Sequence, residues 1–237
     1  MIHVLIRARN AEKYIMKCLN SLKAQTHKQW TAWVMLDDPE DKTVDLVKKF
    51  MATNENVWMF NNDRRRGLGW QMFHGLIRIE GQPDDIVAIL DGDDTLHPNA
   101  LKVIQKVYDT YPGTLATHGS YIKHTKKART RISKAYPKGC DVRNFKWHAS
   151  HLKTFRLRMI YHLRADMFQD QRGKWLDAAS DLALMFPLIE IAGLERVKFV
   201  EKEIYFWNNG TSQATNGELQ KKNEYIVRSK KREKQIY

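Results

Sequence analysis

Residues 85–94 are DIVAILDGDD, an unbroken apolar run that ends in three aspartates. Apolar residues bounded in this way predict a buried strand, with the aspartates at its carboxyl end. Three carboxylates within four residues repel one another, and a divalent cation removes that repulsion. Carboxylate oxygens suit hard ions such as Mg²⁺ and Mn²⁺, so the turn predicts a metal site formed by Asp91, Asp93 and Asp94. A polar turn that caps the next helix is the alternative.

The residues before this turn alternate between strand and helix patterns. Strands are predicted at 2–6, 30–36 and 56–60, and helices at 11–25, 43–50 and 68–79. This alternation predicts an α/β fold with a mostly parallel sheet that is covered by helices. In such sheets, ligands bind beyond the carboxyl ends of the strands. A second acidic pair, Asp37 and Asp38, follows another predicted strand and is therefore expected near the first cluster.

The second half of the chain is less regular. It contains an apolar helix pattern at 182–192 with Gly193 as its stop, a strand pattern at 197–207, and a polar helix pattern from Glu218. We expect the last of these helices to be solvated. No stretch is long and apolar enough to span a membrane, because Pro187 and Glu190 interrupt the longest run.

Four motifs resemble the family 2 glycosyltransferases of the GT-A fold. They are VLIRARNAEKYI at 4–15, CLNSLKAQT at 18–26, LDD at 36–38 and DGDD at 91–94. Their order and spacing match that family closely over the N-terminal half. The resemblance implies an inverting, metal-dependent transfer of a sugar from a nucleotide-diphosphate sugar, most simply a UDP-sugar, to a hydroxyl acceptor. It also implies a single domain with a donor-binding half at 1–112 and an acceptor-binding half at 113–237.

The resemblance assigns roles to the residues of these motifs. Asp37 or Asp38 would hydrogen-bond the nucleobase or ribose, Asp91 would reach the ribose, and Asp93 would hold Mn²⁺ or Mg²⁺ on the diphosphate. The loop that would line the base pocket comprises Ala8, Arg9 and Asn10.

Two departures from the family pattern affect the donor site. Residues 38–41 are Asp-Pro-Glu-Asp where the family often has Asp-Gly-Ser-Thr, and 72–73 are Met-Phe where it often has Arg-Asn. The arginine run at 64–66, and Arg66 in particular, is the candidate to supply the missing positive charge. A solvated arginine run is the alternative. The loop at 208–212 matches one that closes over the donor phosphates, and a surface turn is the alternative there.

The same resemblance places a catalytic base before a helix in the second half. Asp181 is the best match, and Asp177 is its rival. An inverting transfer needs a carboxylate within hydrogen-bond reach of the acceptor hydroxyl. The alternative interpretation is that Asp181 or Ser180 simply caps the helix.

The charge of the chain is unevenly distributed. Its 237 residues carry a net charge of +13, and residues 121–164 contain thirteen Lys or Arg against one acid, Asp141. A field this concentrated favours a polyanionic partner. Because the window lies in the half assigned to the acceptor, we expect a polyanionic acceptor, with a hydroxymethylated pyrimidine in phage DNA as one option. The candidate contacts are Lys126, Lys127, Arg129, Arg131 and His151.

Two alternatives to this function remain. One is a glycosyltransferase for envelope polysaccharide or a lipid-linked glycan, and the other is a non-catalytic nucleic-acid-binding protein on a transferase scaffold. The two cysteines, Cys18 and Cys140, cannot form a disulfide framework or a metal knuckle. We therefore expect the reducing environment of the cytoplasm.

Overall fold

The secondary structure follows the predicted alternation through the first half. The computed structural model describes residues 1–123, 133–208 and 217–237. The strands are β1 (Ile2–Ala8), β2 (Trp30–Leu36), β3 (Val57–Asn61), β4 (Ile86–Asp91), β5 (Thr95–Leu96), β6 (Ala116–Gly119), β7 (Ile122–Lys123), β8 (Ser150–Arg156), β9 (Val197–Val200) and β10 (Tyr205–Trp207). The α-helices are α1 (Ile15–Lys23), α2 (Thr43–Met51), α3 (Leu68–Leu76), α4 (Ala100–Thr110), α5 (Ser180–Ala192) and α6 (Gly217–Ser229).

Seven strands form one central sheet in the order β3-β2-β1-β4-β8-β6-β9. The first four are parallel, β8 runs antiparallel to both of its neighbours, and β9 is parallel to β6. A smaller sheet of β5, β10 and β7 lies beside it. The expectation of a mostly parallel sheet covered by helices is confirmed.

Alternating side chains of β1 explain why both faces of the sheet are covered. Leu5 belongs to the apolar cluster that contains α3 and α5, whereas Val4 and Ile6 belong to the cluster that contains α1 and α4. Successive side chains of a strand point to opposite faces. A strand that is buried on both sides is therefore mostly apolar, which is the pattern of parallel sheets, and its buried polar residues His3 and Arg7 are both hydrogen-bonded.

The register of the strands brings their carboxyl ends together. Ala8 at the end of β1 pairs with Leu36 at the end of β2, and Arg7 pairs with Asp91 at the end of β4. The acidic residues that follow β2 and those that end β4 consequently lie at the same edge of the sheet.

Three predicted elements differ from the structure. The apolar helix begins at Ser180 rather than at Leu182, so Asp181 lies within its first turn instead of before it. The predicted strand 197–207 is two strands in different sheets, because the polar residues 201–203 interrupt it. The C-terminal helix is not wholly solvated, since Asn223 and Val227 are buried against the rest of the protein.

None of the helices among the described residues is both long and apolar enough to cross a membrane.

Candidate active site

A cleft of about 950 Å³ opens at the carboxyl ends of β1, β2 and β4. Its lining includes the predicted donor loop at 8–10, the acidic residues Asp37, Asp91, Asp93 and Asp94, and the start of α5 with Asp177 and Asp181. The cleft thus brings together residues from both halves of the chain, from Arg7 in β1 to Gln220 in α6.

The turn at 91–94 needs its glycine because it lies against β1. The Gly92 amide donates to the carbonyl of Arg7 at 2.9 Å. A Cβ at Gly92 would lie 2.6 Å from the Cβ of Ala8. Any side chain at this position would push the turn away from β1, so the glycine fixes where the aspartates project.

Asp94 lines the cleft, and its carboxylate accepts two hydrogen bonds. The Tyr205 hydroxyl donates to Oδ2 at 2.6 Å, and the backbone amide of Asn208 donates to Oδ1 at 2.7 Å. Burial, together with the charges of Asp91 and Asp93, raises the pKa of Asp94 to about 8. Asp94 therefore anchors β10 to the acidic turn, and both of its oxygens already accept hydrogen bonds from the protein.

The remaining acids of the turn, Asp91 and Asp93, could supply only some of the ligands of a divalent cation. No three His, Cys, Asp or Glu side chains surround a common point within residues 1–123, 133–208 and 217–237. An ion at Asp91 and Asp93 would therefore need oxygens from a diphosphate and from water. Mg²⁺ is held in this way, by one or two carboxylates plus substrate phosphates. The mutual repulsion that raises the pKa of Asp94 is also what such an ion would relieve.

Arg7 connects the acidic turn to the start of α5. Its guanidinium donates to Asp91 Oδ1 at 2.5 Å and to Ser180 Oγ at 2.7 Å. The Arg7 pairing is also one cause that lowers the pKa of Asp91, against the opposing effect of burial. One buried side chain of β1 thus fixes two walls of the cleft relative to each other.

Asp37 serves as an anchor for the loop before α3. It accepts hydrogen bonds from Asn62 Nδ2 at 2.7 Å and from the backbone amides of Arg66 and Gly67 at 2.8 and 2.9 Å. Asp37 lines the cleft, but these bonds occupy both of its oxygens. Asp38 follows in a left-handed conformation, with φ of 52°, and is not among the cleft residues that the structure describes.

The arginine run differs from its prediction in one respect. The side chain of Arg66 pairs with Asp63 at 2.9 Å and lies over the Trp70 ring, so it is directed along the surface. Arg65, rather than Arg66, lines the cleft. The ion pair with Asp63 and the contact with Trp70 account for the difference, because both engage the Arg66 guanidinium.

The donor loop itself is tied to the departure at 38–41. Arg9 pairs with Glu40 at 2.6 Å, and the Glu40 amide donates to Asn10 Oδ1 at 2.8 Å. Asn10 adopts φ of 49°, a left-handed conformation that asparagine tolerates. Glu40, in place of the small residue of the family pattern, therefore holds the loop 8–10 in shape.

The capping alternative for Asp181 is wrong. The residue that precedes α5 is Ala179, in a left-handed conformation with φ of 57°, and no side chain caps the helix. Asp181 and Asp177 both line the cleft. The Asp181 side chain is 30% exposed, and its Oδ2 lies 3.7 Å from Lys153 Nζ. Its carboxylate is thus available to a substrate in the cleft.

His151 lies beside the acidic turn rather than on a basic surface. Its ring stacks on Tyr205 at a centroid distance of 4.3 Å, and its Nδ1 is 3.2 Å from Lys153 Nζ. Burial, and then the charge of Lys153, lowers its pKa well below the usual value, so the ring is neutral at pH 7. His151 lines the cleft, so its predicted role as an acceptor contact stays a prediction.

The basic window 121–164 is not one surface. Arg143 and Lys153 are buried, and Arg158 and Arg164 pair with acids. Charges that are paired within the protein contribute little to an external field. The other four candidate contacts, Lys126, Lys127, Arg129 and Arg131, lie outside the described residues.

Three residues of the site are absent from the sequence-based predictions. They are Arg7, Lys153 and Tyr205. A signal for the first two exists, because each is a charged residue inside a strand whose neighbours are buried. Buried charges are rare and are paired when they occur. Tyr205 offers no such signal, since an aromatic residue is ordinary in a strand.

A family model described as "Glycosyl transferase family 2" matches residues 3–173. Among curated relatives, the glucosyl-dolichyl phosphate glucuronosyltransferase of Haloferax volcanii is 23% identical over 161 residues, which are 65% of this chain and 49% of that protein. Glycosyltransferase GlyA of Streptococcus pneumoniae is 25% identical over 51% of this chain and 17% of its own length. The chain thus matches half or less of these relatives.

Two solved structures share the fold. TarS 1–349 of S. aureus in complex with UDP superposes with a TM-score of 0.67 at 19% identity, covering 87% of this chain and 60% of that one. The mannosyltransferase PcManGT of Pyrobaculum calidifontis, in complex with GDP-Man and Mn²⁺, gives 0.59 at 16% identity, covering 90% and 58%.

Proposed function

The chain belongs to glycosyl transferase family 2 and has the expected GT-A fold, and we propose that it catalyses an inverting, metal-dependent sugar transfer. The donor is a nucleotide-diphosphate sugar, and the acceptor is a hydroxyl group. The donor-binding half is 1–112, and the acceptor-binding half is 113–237.

The proposed donor is a UDP-sugar. TarS, which shares the fold, has been solved with UDP and with UDP-GlcNAc, whereas PcManGT has been solved with GDP-Man. In this chain the loop 8–10 and Asp37 form the end of the cleft that would receive the nucleoside. Both Asp37 oxygens already accept hydrogen bonds from the loop 62–67. We therefore assign the contact with the nucleobase to the backbone of the loop 8–10 and of Asp37, and to Asn10.

Asp93 and Asp91 are the residues proposed to hold the cation with the diphosphate. A bound Mn²⁺ or Mg²⁺ supplies a Lewis acid that offsets the negative charge of the departing diphosphate. Arg7 keeps Asp91 oriented toward the cleft, and Asp94 anchors the turn through Tyr205. The fold-sharing PcManGT carries Mn²⁺, which supports this choice.

Asp181 is the proposed general base, with Asp177 as its rival. The carboxylate takes the proton of the acceptor hydroxyl while the oxygen bonds to the anomeric carbon of the sugar. The bond from that carbon to the diphosphate oxygen breaks at the same time, and the diphosphate leaves with the electron pair. Attack opposite the leaving group inverts the anomeric configuration.

One observation carries this proposal. The Arg7 guanidinium bonds both Asp91 of the acidic turn and Ser180, the residue before Asp181. The candidate metal ligand and the candidate base are therefore held on a common support. Such fixed positioning is what a transfer reaction requires of its catalytic groups.

A substitution of Asp93 tests the metal site. Asp93→Asn should lower nucleotide-sugar turnover at least about 100-fold, because an amide cannot supply the carboxylate charge that the ion needs. Addition of EDTA to the wild-type protein should have the same effect, and Mn²⁺ should reverse it. Asp109→Asn, at an exposed position on α4, is the matched control and should retain full activity. Wild-type turnover in EDTA would refute metal dependence.

A polyanionic acceptor, with hydroxymethylated DNA as one form, is a narrower proposal. Its support is the sequence charge at Lys126, Lys127, Arg129 and Arg131, since several other cations of the window are paired internally. Counterion release predicts that binding to duplex DNA weakens by about tenfold or more when salt rises two- to fourfold. A gel-shift salt titration measures this, alongside transfer to hydroxymethylated DNA. Binding to anionic lipid vesicles without any DNA shift would favour the envelope-glycan alternative instead.

A further inference from the structure

Lys153 occupies an unusual position for a lysine. It lies on β8 in the central sheet, in register with Ile89 of β4, and its side chain is 1% exposed. Burying an ammonium group is unfavourable unless nearby charges compensate for it. Burial lowers the pKa of Lys153, while the charges of Asp181 and Asp91 act in the opposite direction. The lysine therefore has a compensating environment, and that environment is the cleft.

The direction of the side chain follows from the alternation of β8. Phe155, two residues along on the same side of the strand, belongs to the cluster that includes α5, whereas Leu152 belongs to the opposite cluster. Lys153 thus extends beneath the first turn of α5. Its Nζ lies 3.7 Å from Asp181 Oδ2 and 3.2 Å from His151 Nδ1.

The distance to Asp181 distinguishes this contact from a closed ion pair. Charge-assisted N–H···O bonds are about 2.7–2.9 Å long, and the contact at 3.7 Å exceeds that range. The carboxylate is also 30% exposed toward the cleft. The ammonium thus attracts the carboxylate from below without occupying its oxygens, which leaves them able to accept the proton of a substrate.

We propose that Lys153 is a positioning residue for Asp181, holding the carboxylate in the direction of the acceptor while His151 Nδ1 holds the ammonium. This proposal rests on the proposed role of Asp181 as the base. It assigns a function to the segment 151–153 of β8, which belongs neither to the acidic turn nor to the donor loop nor to the motif that contains Asp181. Lys153 itself does not touch the substrate.

A double-mutant cycle tests the proposal. The variants are Lys153→Met, Asp181→Asn and the combination of both, each assayed for nucleotide release from a donor with water as acceptor and Mn²⁺ present. The donor is whichever of UDP-GlcNAc and GDP-mannose the wild-type enzyme turns over faster. Lys153→Met should lower kcat about 10- to 100-fold and change donor affinity, measured by calorimetry, less than about threefold. If Lys153 acts through Asp181, the combined variant should lose no more than Asp181→Asn alone, within about twofold.

Two controls separate this role from a structural one. Lys198→Met removes a partly exposed lysine of β9 in the same sheet and should leave kcat unchanged. Methionine has a volume similar to that of lysine, and the Asp181 carboxylate left behind is 30% exposed and can be solvated from the cleft, so the melting temperature of Lys153→Met should change much less than its kcat. If Lys153→Met does not fold, Lys153→Gln replaces it and should show the same loss in kcat.

The outcomes are distinguishable. Wild-type turnover by Asp181→Asn would refute the assignment of Asp181 as the base and with it the role of Lys153, whereas no nucleotide release by the wild-type enzyme from either donor would refute the proposed function. A large loss in Asp181→Asn, together with either wild-type turnover in Lys153→Met or losses that multiply in the combined variant, would overturn the role of Lys153 alone.

Discussion

Two buried cation–carboxylate pairs involve α5, and they differ in how completely they are closed. Arg143 donates to both oxygens of Glu190 at 2.5 and 2.8 Å, and to the carbonyl of Val227 at 2.6 Å. The two side chains are 2% and 9% exposed. Lys153 and Asp181, at the other end of the helix, are 3.7 Å apart, and the acid is open to the cleft.

The difference shows how the same chemistry serves two purposes. The fork of Arg143 satisfies both Glu190 oxygens, so this pair joins α5 to α6 and the loop before β8 and has no capacity left for a ligand. The Lys153–Asp181 pair leaves the carboxylate with unused acceptor capacity where a substrate would bind. A closed pair is expected to contribute to stability, and an open pair to activity.

Breaking the closed pair should give the largest effect on stability. Glu190→Leu leaves the Arg143 guanidinium buried without its carboxylate, and the free energy of unfolding should fall by about 3–5 kcal/mol. Chemical denaturation at pH 7 measures this change. The turnover of the fraction that remains folded should equal that of the wild type.

The double variant Arg143→Met/Glu190→Leu is the control for that prediction. Replacing a whole buried pair with apolar residues of similar volume is often neutral or stabilising, so it should recover most of the lost stability. A double variant that is less stable than Glu190→Leu would show that Arg143 contributes through Val227 or through packing on Phe186, and not chiefly through Glu190.

The parallel half of the fold could be predicted because its signals are local. The apolar patterns of β1 and β2 predict these strands directly, and β4 is marked by the polar turn at its carboxyl end. The prediction of a single strand at 197–207 is wrong for a different reason. Strand patterns do not reveal to which sheet a segment belongs, and here the polar residues 201–203 mark a transfer between sheets.

The site could be predicted only where motifs mark it. Asp37, Asp91 and Asp181 come from motifs, and all three line the cleft. Arg7 contacts Ser180, 173 positions away, and Lys153 contacts Asp181, 28 positions away. Each is recognisable as a charged residue inside a buried strand, but no local pattern identifies its partner. The described cations of β8 do not share one surface, because neighbours in sequence point to opposite faces of the strand: Lys153 is buried under α5, while Arg156 stacks over Tyr108.

A third ion pair, at the surface, should give the smallest effect. Arg232 and Asp141 are 2.8 Å apart, but their side chains are 43% and 44% exposed. Exposed pairs contribute about 0–1 kcal/mol, because water and salt screen them. Arg232→Gln should therefore change the free energy of unfolding by less than about 1 kcal/mol, and added salt should remove even that difference. A loss of 3 kcal/mol would contradict the assumption that exposure decides the contribution of these pairs.

The assignment of Asp181 as the base is tested most directly by comparing Asp181→Asn with Asp177→Asn. Nucleotide release in the presence of Mn²⁺ gives the rate for each variant, and calorimetry with the nucleotide sugar gives its donor affinity. Asp181→Asn should lower kcat at least about 100-fold, since it removes the proton acceptor, while donor affinity should stay within about twofold of the wild type. Asp177→Asn should retain most of its turnover. The opposite result, normal turnover in Asp181→Asn and loss in Asp177→Asn, would contradict the assignment of the base.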